Sequence, residues 1–242
     1  MFAILLGLVY IQGKRFCEDS MRYSLICVLG IAAMLAACAG NHRQINTMLP
    51  NGSPAYDASA VESSYYVQQL AVLKKDSLKA MESTDWLKFR KEFLKCKFSQ
   101  PDRFSIMGLE SVMTMARKSG DRNEELKLAQ EVLDRDFTNI SAHYTFVKDS
   151  SVDANVREYH KQVIGGLLRS IRDSGKGISK ETAMYVINIG EEYDFIYFSG
   201  MKPMMQSLIN ENGRQFDVMD TEDREGNKYR LYFEVTDFFG HY

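Results

Sequence analysis

Lys228-Tyr-Arg-Leu-Tyr-Phe-Glu-Val-Thr236 is the stretch on which the fold class turns. Tyr229, Leu231, Phe233 and Val235 alternate with Lys228, Arg230, Glu234 and Thr236, and a period of two belongs to a strand with one buried face. Upstream, Phe216 and Val218 alternate against polar neighbours, and Phe195 to Phe198 is a short apolar run of strand type. Met204 to Ile209 has no decisive period and fits a strand between that run and the next turn. Asn212-Gly213 and Gly226-Asn227 supply turn chemistry, so these segments predict a C-terminal antiparallel β-meander.

Between residue 61 and Glu191 the chain reads as a series of helices separated by turns. Val61 to Glu82 carries a loose apolar stripe, and Ser83, Thr84 and Asp85 offer a cap for the next helix. Trp86, Phe89, Phe93 and Cys96 then recur at helical spacing, with Lys88, Lys91 and Lys95 on the opposite side. Such a stripe reads first as a core face with solvated lysines; a helix lying on anionic headgroups is the alternative. Phe104 to Lys118 forms another helix. Gly120 to Val147 resembles one tetratricopeptide unit, two helices joined by an Asp/Asn turn, although one unit is not an array. Val156, Tyr159, His160, Val163, Ile164, Leu167, Leu168 and Ile171 follow i, i+3, i+4, i+7 without a miss, and Ser179 can cap a shorter helix through Ala183, Val186 and Ile187. Helices first and strands last make the class α+β: tetratricopeptide-like helical hairpins, then the meander.

The front of the chain carries export chemistry. From Met21, a basic Arg22 precedes an apolar stretch through Leu25, Ile26, Val28, Leu29 and Ile31, which is the layout of a secretory signal. Leu35-Ala36-Ala37-Cys38 resembles the bacterial lipobox, in which cleavage precedes a cysteine that carries a diacylglyceryl group. Neither this run nor Phe2 to Ile11 reaches the roughly 18 to 20 apolar residues of an easy spanning helix. The expected organisation is a signal region at 1–37 with Met21 as the true start, a lipidated flexible tether at 38–60, and a single α+β domain at 61–242. Ala39 after the cysteine favours the outer membrane over the inner, by analogy with sorting in Gram-negative lipoproteins.

Composition narrows the function classes. A net charge of -2 lacks the basic footprint of nucleic-acid binders, so no nucleic acid is expected as a partner. With 45% hydrophobic and 12% aromatic residues the chain can build a core. Cys17 and Cys27 leave with the signal and Cys38 is acylated, so Cys96 stays free and no internal disulfide can form. No HExxH, GxSxG or CxxC motif occurs. Asp173-Ser-Gly-Lys-Gly177 falls short of a phosphate loop because Ser170 and Gly177 stand where glycine and Ser or Thr are required. His143 and His160 read as core histidines, so neither a metal nor a cofactor is expected. Glu191, Glu192 and Asp194 could place carboxylates for acid/base work, but adjacent residues on one helix end do not face each other, and acidic residues at element boundaries are usually solvated.

Gly166-Leu-Leu-Arg-Ser-Ile171, Ser174-Gly-Lys-Gly177 and Glu191-Glu-Tyr193 resemble a family of exported bacterial proteins, mainly of Bacteroidetes type, known as domain of unknown function 4919. Phe89, Arg90 and Phe93 and the closing Tyr232-Phe-Glu-Val235 fit the same pattern, so the likeness spans residues 84–236. The resemblance implies a cell-envelope location and brings no catalytic residues. Two functions follow as expectations. The first is a noncatalytic envelope lipoprotein that binds other envelope proteins and is held to the outer membrane by lipid on Cys38. The second is a small hydrolase or glycan-binding accessory protein using Ser174, Glu191, Glu192 and Tyr193. Clustering of those four side chains in one pocket favours the second; burial in ion pairs favours the first.

Overall fold

A computed structural model describes residues 64–75, 77–99 and 103–239. The expected signal region, the tether with Cys38, and the first residues of the domain lie outside them.

Helix α1 (Tyr65–Leu73) starts at Ser64, whose hydroxyl accepts from the Val67 N–H. The single helix expected up to Glu82 is two, because the Tyr159 hydroxyl donates to the Leu73 carbonyl at 3.2 Å and Lys74 caps the end. Helix α2 (Ser77–Ser83) follows, then α3 (Trp86–Ser99), whose Lys88 N–H is taken by Asp85. The aromatic face of α3 enters the core: Phe89 and Phe93 are buried, with ring centroids 4.7 and 5.0 Å from Tyr66. Burial of each ring is worth about 1.5–3 kcal/mol. Lys88, Lys91 and Lys95 stay exposed, and the free Cys96 thiol is buried beside Ser64.

Helix α4 (Arg103–Ser119) stops at Gly120, whose φ of 78° a side chain would resist. Asp121 and Asn139 cap α5 (Arg122–Arg135) and α6 (Ile140–Lys148). Buried Glu125 clamps the three helices together, accepting from Arg117 of α4 at 2.6 Å and Lys148 of α6 at 2.7 Å. Burial works to raise the Glu125 pKa, but those two cations win and hold it below the usual carboxylate value. Helix α7 (Ala154–Arg172) buries Val163, Leu167 and Ile171. No helix among the described residues is long and apolar enough to cross a membrane.

Beyond α7 the structure departs from the sequence reading at three places. Ser179 makes no capping bond; a single 3-10 turn (Lys180–Thr182) leads into the two-residue strand β1 (Met184–Tyr185), and the spacing of Ala183, Val186 and Ile187 reflects burial on all sides, not a helix. Phe195–Phe198 is the last turn of α8 (Ile189–Phe198), because the Asn188 cap and the acidic first turn start a helix that carries through the aromatic run. Strands β2 (Lys202–Glu211), β3 (Arg214–Glu222) and β4 (Lys228–Glu234) do form antiparallel hairpins, the first around Asn212 and Gly213 at φ 51° and 77°. The sheet, however, is mixed: its order is β1-β4-β3-β2, and β1 joins β4 in parallel. A four-residue helix α9 (Thr236–Phe239) closes the described chain. The class is α+β.

Candidate functional site

One of the residues singled out by sequence, Glu191, meets Arg90, a side chain that α3 carries into the core beside Phe89. It is fully buried, and every hydrogen-bonding group on its fork is used. Nε and Nη2 donate to the two carboxylate oxygens of Glu191 at 2.8 and 2.5 Å, Nη2 also donates to the Tyr185 carbonyl at 2.8 Å, and Nη1 to the Ser170 hydroxyl at 3.1 Å. Glu191 also accepts from the Ile187 N–H at 2.9 Å. Paired in this bidentate way the two charges satisfy each other, the condition for burying an ion pair at all. One guanidinium thereby joins α3, α7, β1 and the start of α8.

Ser174 belongs to the same junction. Its hydroxyl donates to the Ile171 carbonyl at 2.6 Å and accepts from the Tyr185 N–H at 2.8 Å, clipping the end of α7 to β1. Gly175 passes so close to the chain that a Cβ would stand 2.3 Å from the Ala183 carbonyl oxygen, and the Gly177 carbonyl accepts from the Tyr232 N–H of β4 at 2.9 Å. Ser174 to Gly177 is thus a backbone-on-backbone seam, which explains its small residues without any phosphate.

Glu192 turns the other way. It is fully buried, neither oxygen is reached by an N–H or another residue's O–H, and it faces Asp217 of β3. Burial, then the Asp217 charge, push its pKa well above the usual carboxylate value, so its carboxyl is the neutral donor and Asp217 the acceptor. Burial raises Asp217 too, and the Gln206 amide, donating at 2.8 Å, partly offsets this. The Tyr193 hydroxyl donates to the Gln206 carbonyl oxygen at 3.0 Å, and burial pushes its pKa up to about 12. Both glutamates expected at a solvated helix end are therefore inside, and they diverge as adjacent helical positions must.

A second polar pair lies between α6 and α7. His143 and His160 meet Nδ1 to Nδ1 at 2.7 Å, and His143 Nε2 lies 3.0 Å from the Phe137 carbonyl. A carbonyl only accepts, so His143 carries its proton on Nε2 and His160 donates from Nδ1. Burial lowers both, His143 to about 3 and His160 to about 4. Among the described residues no three His, Cys, Asp or Glu side chains are placed to hold a metal ion.

Among the described residues, three surface grooves are lined by none of Ser174, Glu191, Glu192 and Tyr193. The first, about 450 Å³, runs along Lys88, Lys91 and Lys95 to Tyr185 and Asp237, with Lys91 Nζ 4.4 Å from the Tyr185 ring centre. The four residues are neighbours through the fold and line none of these three grooves. The sequence did not disclose Arg90 as the partner of Glu191, nor Gln206 and Asp217 as those of Tyr193 and Glu192; only the recurrence of Phe89, Arg90 and Phe93 in the resemblance pointed to Arg90.

A profile described as Domain of unknown function (DUF4919) matches residues 62–242, which take in every residue of this junction. The chain belongs to that family. No curated protein and no solved structure matches it. Of the stretches that carry the resemblance, those at Arg90, Ser170, Ser174 and Glu191 meet in or beside this buried junction.

Proposed function

We propose that this DUF4919 protein is a noncatalytic lipoprotein of the cell envelope, of Bacteroidetes type, that presents its helices and sheet to other envelope proteins. In this reading the signal from Met21 directs export, Cys38 is cleaved and acylated, and 38–60 holds the domain off the outer membrane. The bacterial lipid supplies the two or more chains that stable anchoring needs.

The observation that carries the noncatalytic part is the burial of the candidate carboxylates. Glu191 is bound bidentately to Arg90, and Glu192 is closed against Asp217. A general acid or base must reach its substrate's proton within hydrogen-bond distance, which these groups do not offer. The same burial speaks against the hydrolase and glycan-binding readings. In the protein-binding role, the paired helices α5 and α6, clamped to α4 through Glu125, offer a firm helical surface.

Lipid labelling and membrane fractionation of the wild type beside Cys38→Ala test the anchor. Loss of both label and membrane pool in the variant is expected; persistence of both overturns the lipoprotein reading.

A further inference from the structure

Strand β2 ends the sheet, and among the described residues no strand lies beyond it. Ten residues long, it is exposed throughout except at Gln206 and Ile209, which are half-buried. Met204, Met205 and Leu208 remain 46, 67 and 45% exposed. An open strand of this length with apolar side chains is a template for another strand.

Lys202, Pro203 and a bulge blunt the first part of this edge, as natural edge strands are blunted. Pro203 pairs with Thr221 and Met205 with Asp220, so Met204 is the extra residue of the bulge. Residues opposite each other on antiparallel strands share a sheet face. A two-fold axis normal to the sheet through Ser207 therefore sets Ser207 against itself, Gln206 against Leu208, Met205 against Ile209 and, past the bulge, Lys202 against Glu211. The register centred on Gln206 sets Lys202 against Ile209 and loses the charge match. Lys202 and Glu211 are 62 and 44% exposed at their side chains, bound on their own chain to Glu222 and Lys180. Each can extend its pair across the seam.

We infer that β2 is a self-association edge: a second copy of this chain adds antiparallel across Met205–Ile209, with Lys202 and Glu211 fixing the register at both ends. The two sheets join into one continuous sheet, and the axis makes each charge pair occur twice. The inference does not depend on the lipid anchor.

Cysteine trapping in the full chain tests it, with the unsubstituted chain as background for the native cysteines. Ser207→Cys places two thiols on the axis, about 5 Å apart at Cβ, whereas Asn210→Cys separates them by about 20 Å. On mild oxidation, Ser207→Cys is expected to give a covalent dimer above background and Asn210→Cys none. Adding Lys202→Glu to Ser207→Cys is expected to cut the dimer about tenfold, through like charges at both ends of the seam. Co-expression of Ser207→Cys/Lys202→Glu with Ser207→Cys/Glu211→Lys is expected to restore it, because that mixture re-pairs opposite charges. Overturning results are no dimer above background, a dimer indifferent to the charge reversals, trapping equal at 207 and 210, or a disulfide to another protein or to the chain's own Cys17, Cys27 or Cys38.

Discussion

Gly166 sits under the Trp86 indole, and a Cβ there would stand 2.3 Å from the ring. Neither the helix backbone nor a packed indole yields easily, so Gly166→Ala is expected to destabilise by about 1–3 kcal/mol despite alanine's better helix propensity. A thermal melt that rises or stays level refutes this. Glu192 makes a second prediction at this scale. Its folded pKa lies above the roughly 4.3 of an unfolded glutamate. The folded chain therefore keeps a proton the unfolded chain has lost, and this stabilisation is complete below about 4.3 and declines as pH rises through the folded value. Glu192→Gln keeps a neutral donor for Asp217 without a titration, so urea midpoints between about pH 5 and pH 8 should fall less in the variant than in the wild type. Parallel curves would contradict the assignment of the proton to Glu192.

Among the elements, α6 and α7 share the His143–His160 pair, whose pKa values burial lowers to about 3 and about 4. Stability from this pair is complete above the unfolded value near 6.5 and is lost as pH falls toward the folded values. Melting temperature should drop on acidification, and His143→Phe/His160→Phe should flatten that slope whatever its cost at neutral pH. An equal acid slope in wild type and variant rules the pair out as its source. How far the elements could be read from sequence follows their surroundings. Helix α7 has one buried stripe and one wet face, so its period was plain; α3 likewise. Met184 to Ile187 is buried on every side, where periodicity carries no information, and the strand β1 was read as helix. Helix α8 spreads its apolar side chains between the core and solvent, with Ile196 buried and Tyr197 57% exposed, so the run looked like a strand. Strand β2 is exposed on both sides, which left its sequence without a decisive pattern.

At the scale of the whole molecule, Arg90 and Glu191 lie 101 residues apart in sequence and meet at the point where helices give way to sheet. Glu191 was legible as a residue of interest, but its role was not, because its partner is set by tertiary packing that no local spacing encodes. This junction secures the fold. A double-mutant cycle on urea unfolding with Arg90→Met, Glu191→Leu and the combination tests that claim most directly. Each single change strands a buried charge and is expected to cost about 3–5 kcal/mol, while the combination, which leaves no orphaned charge, should cost about as much as one single change and far less than their sum. Single changes that cost under about 1 kcal/mol, or costs that simply add, would show that the pair does not hold the molecule together.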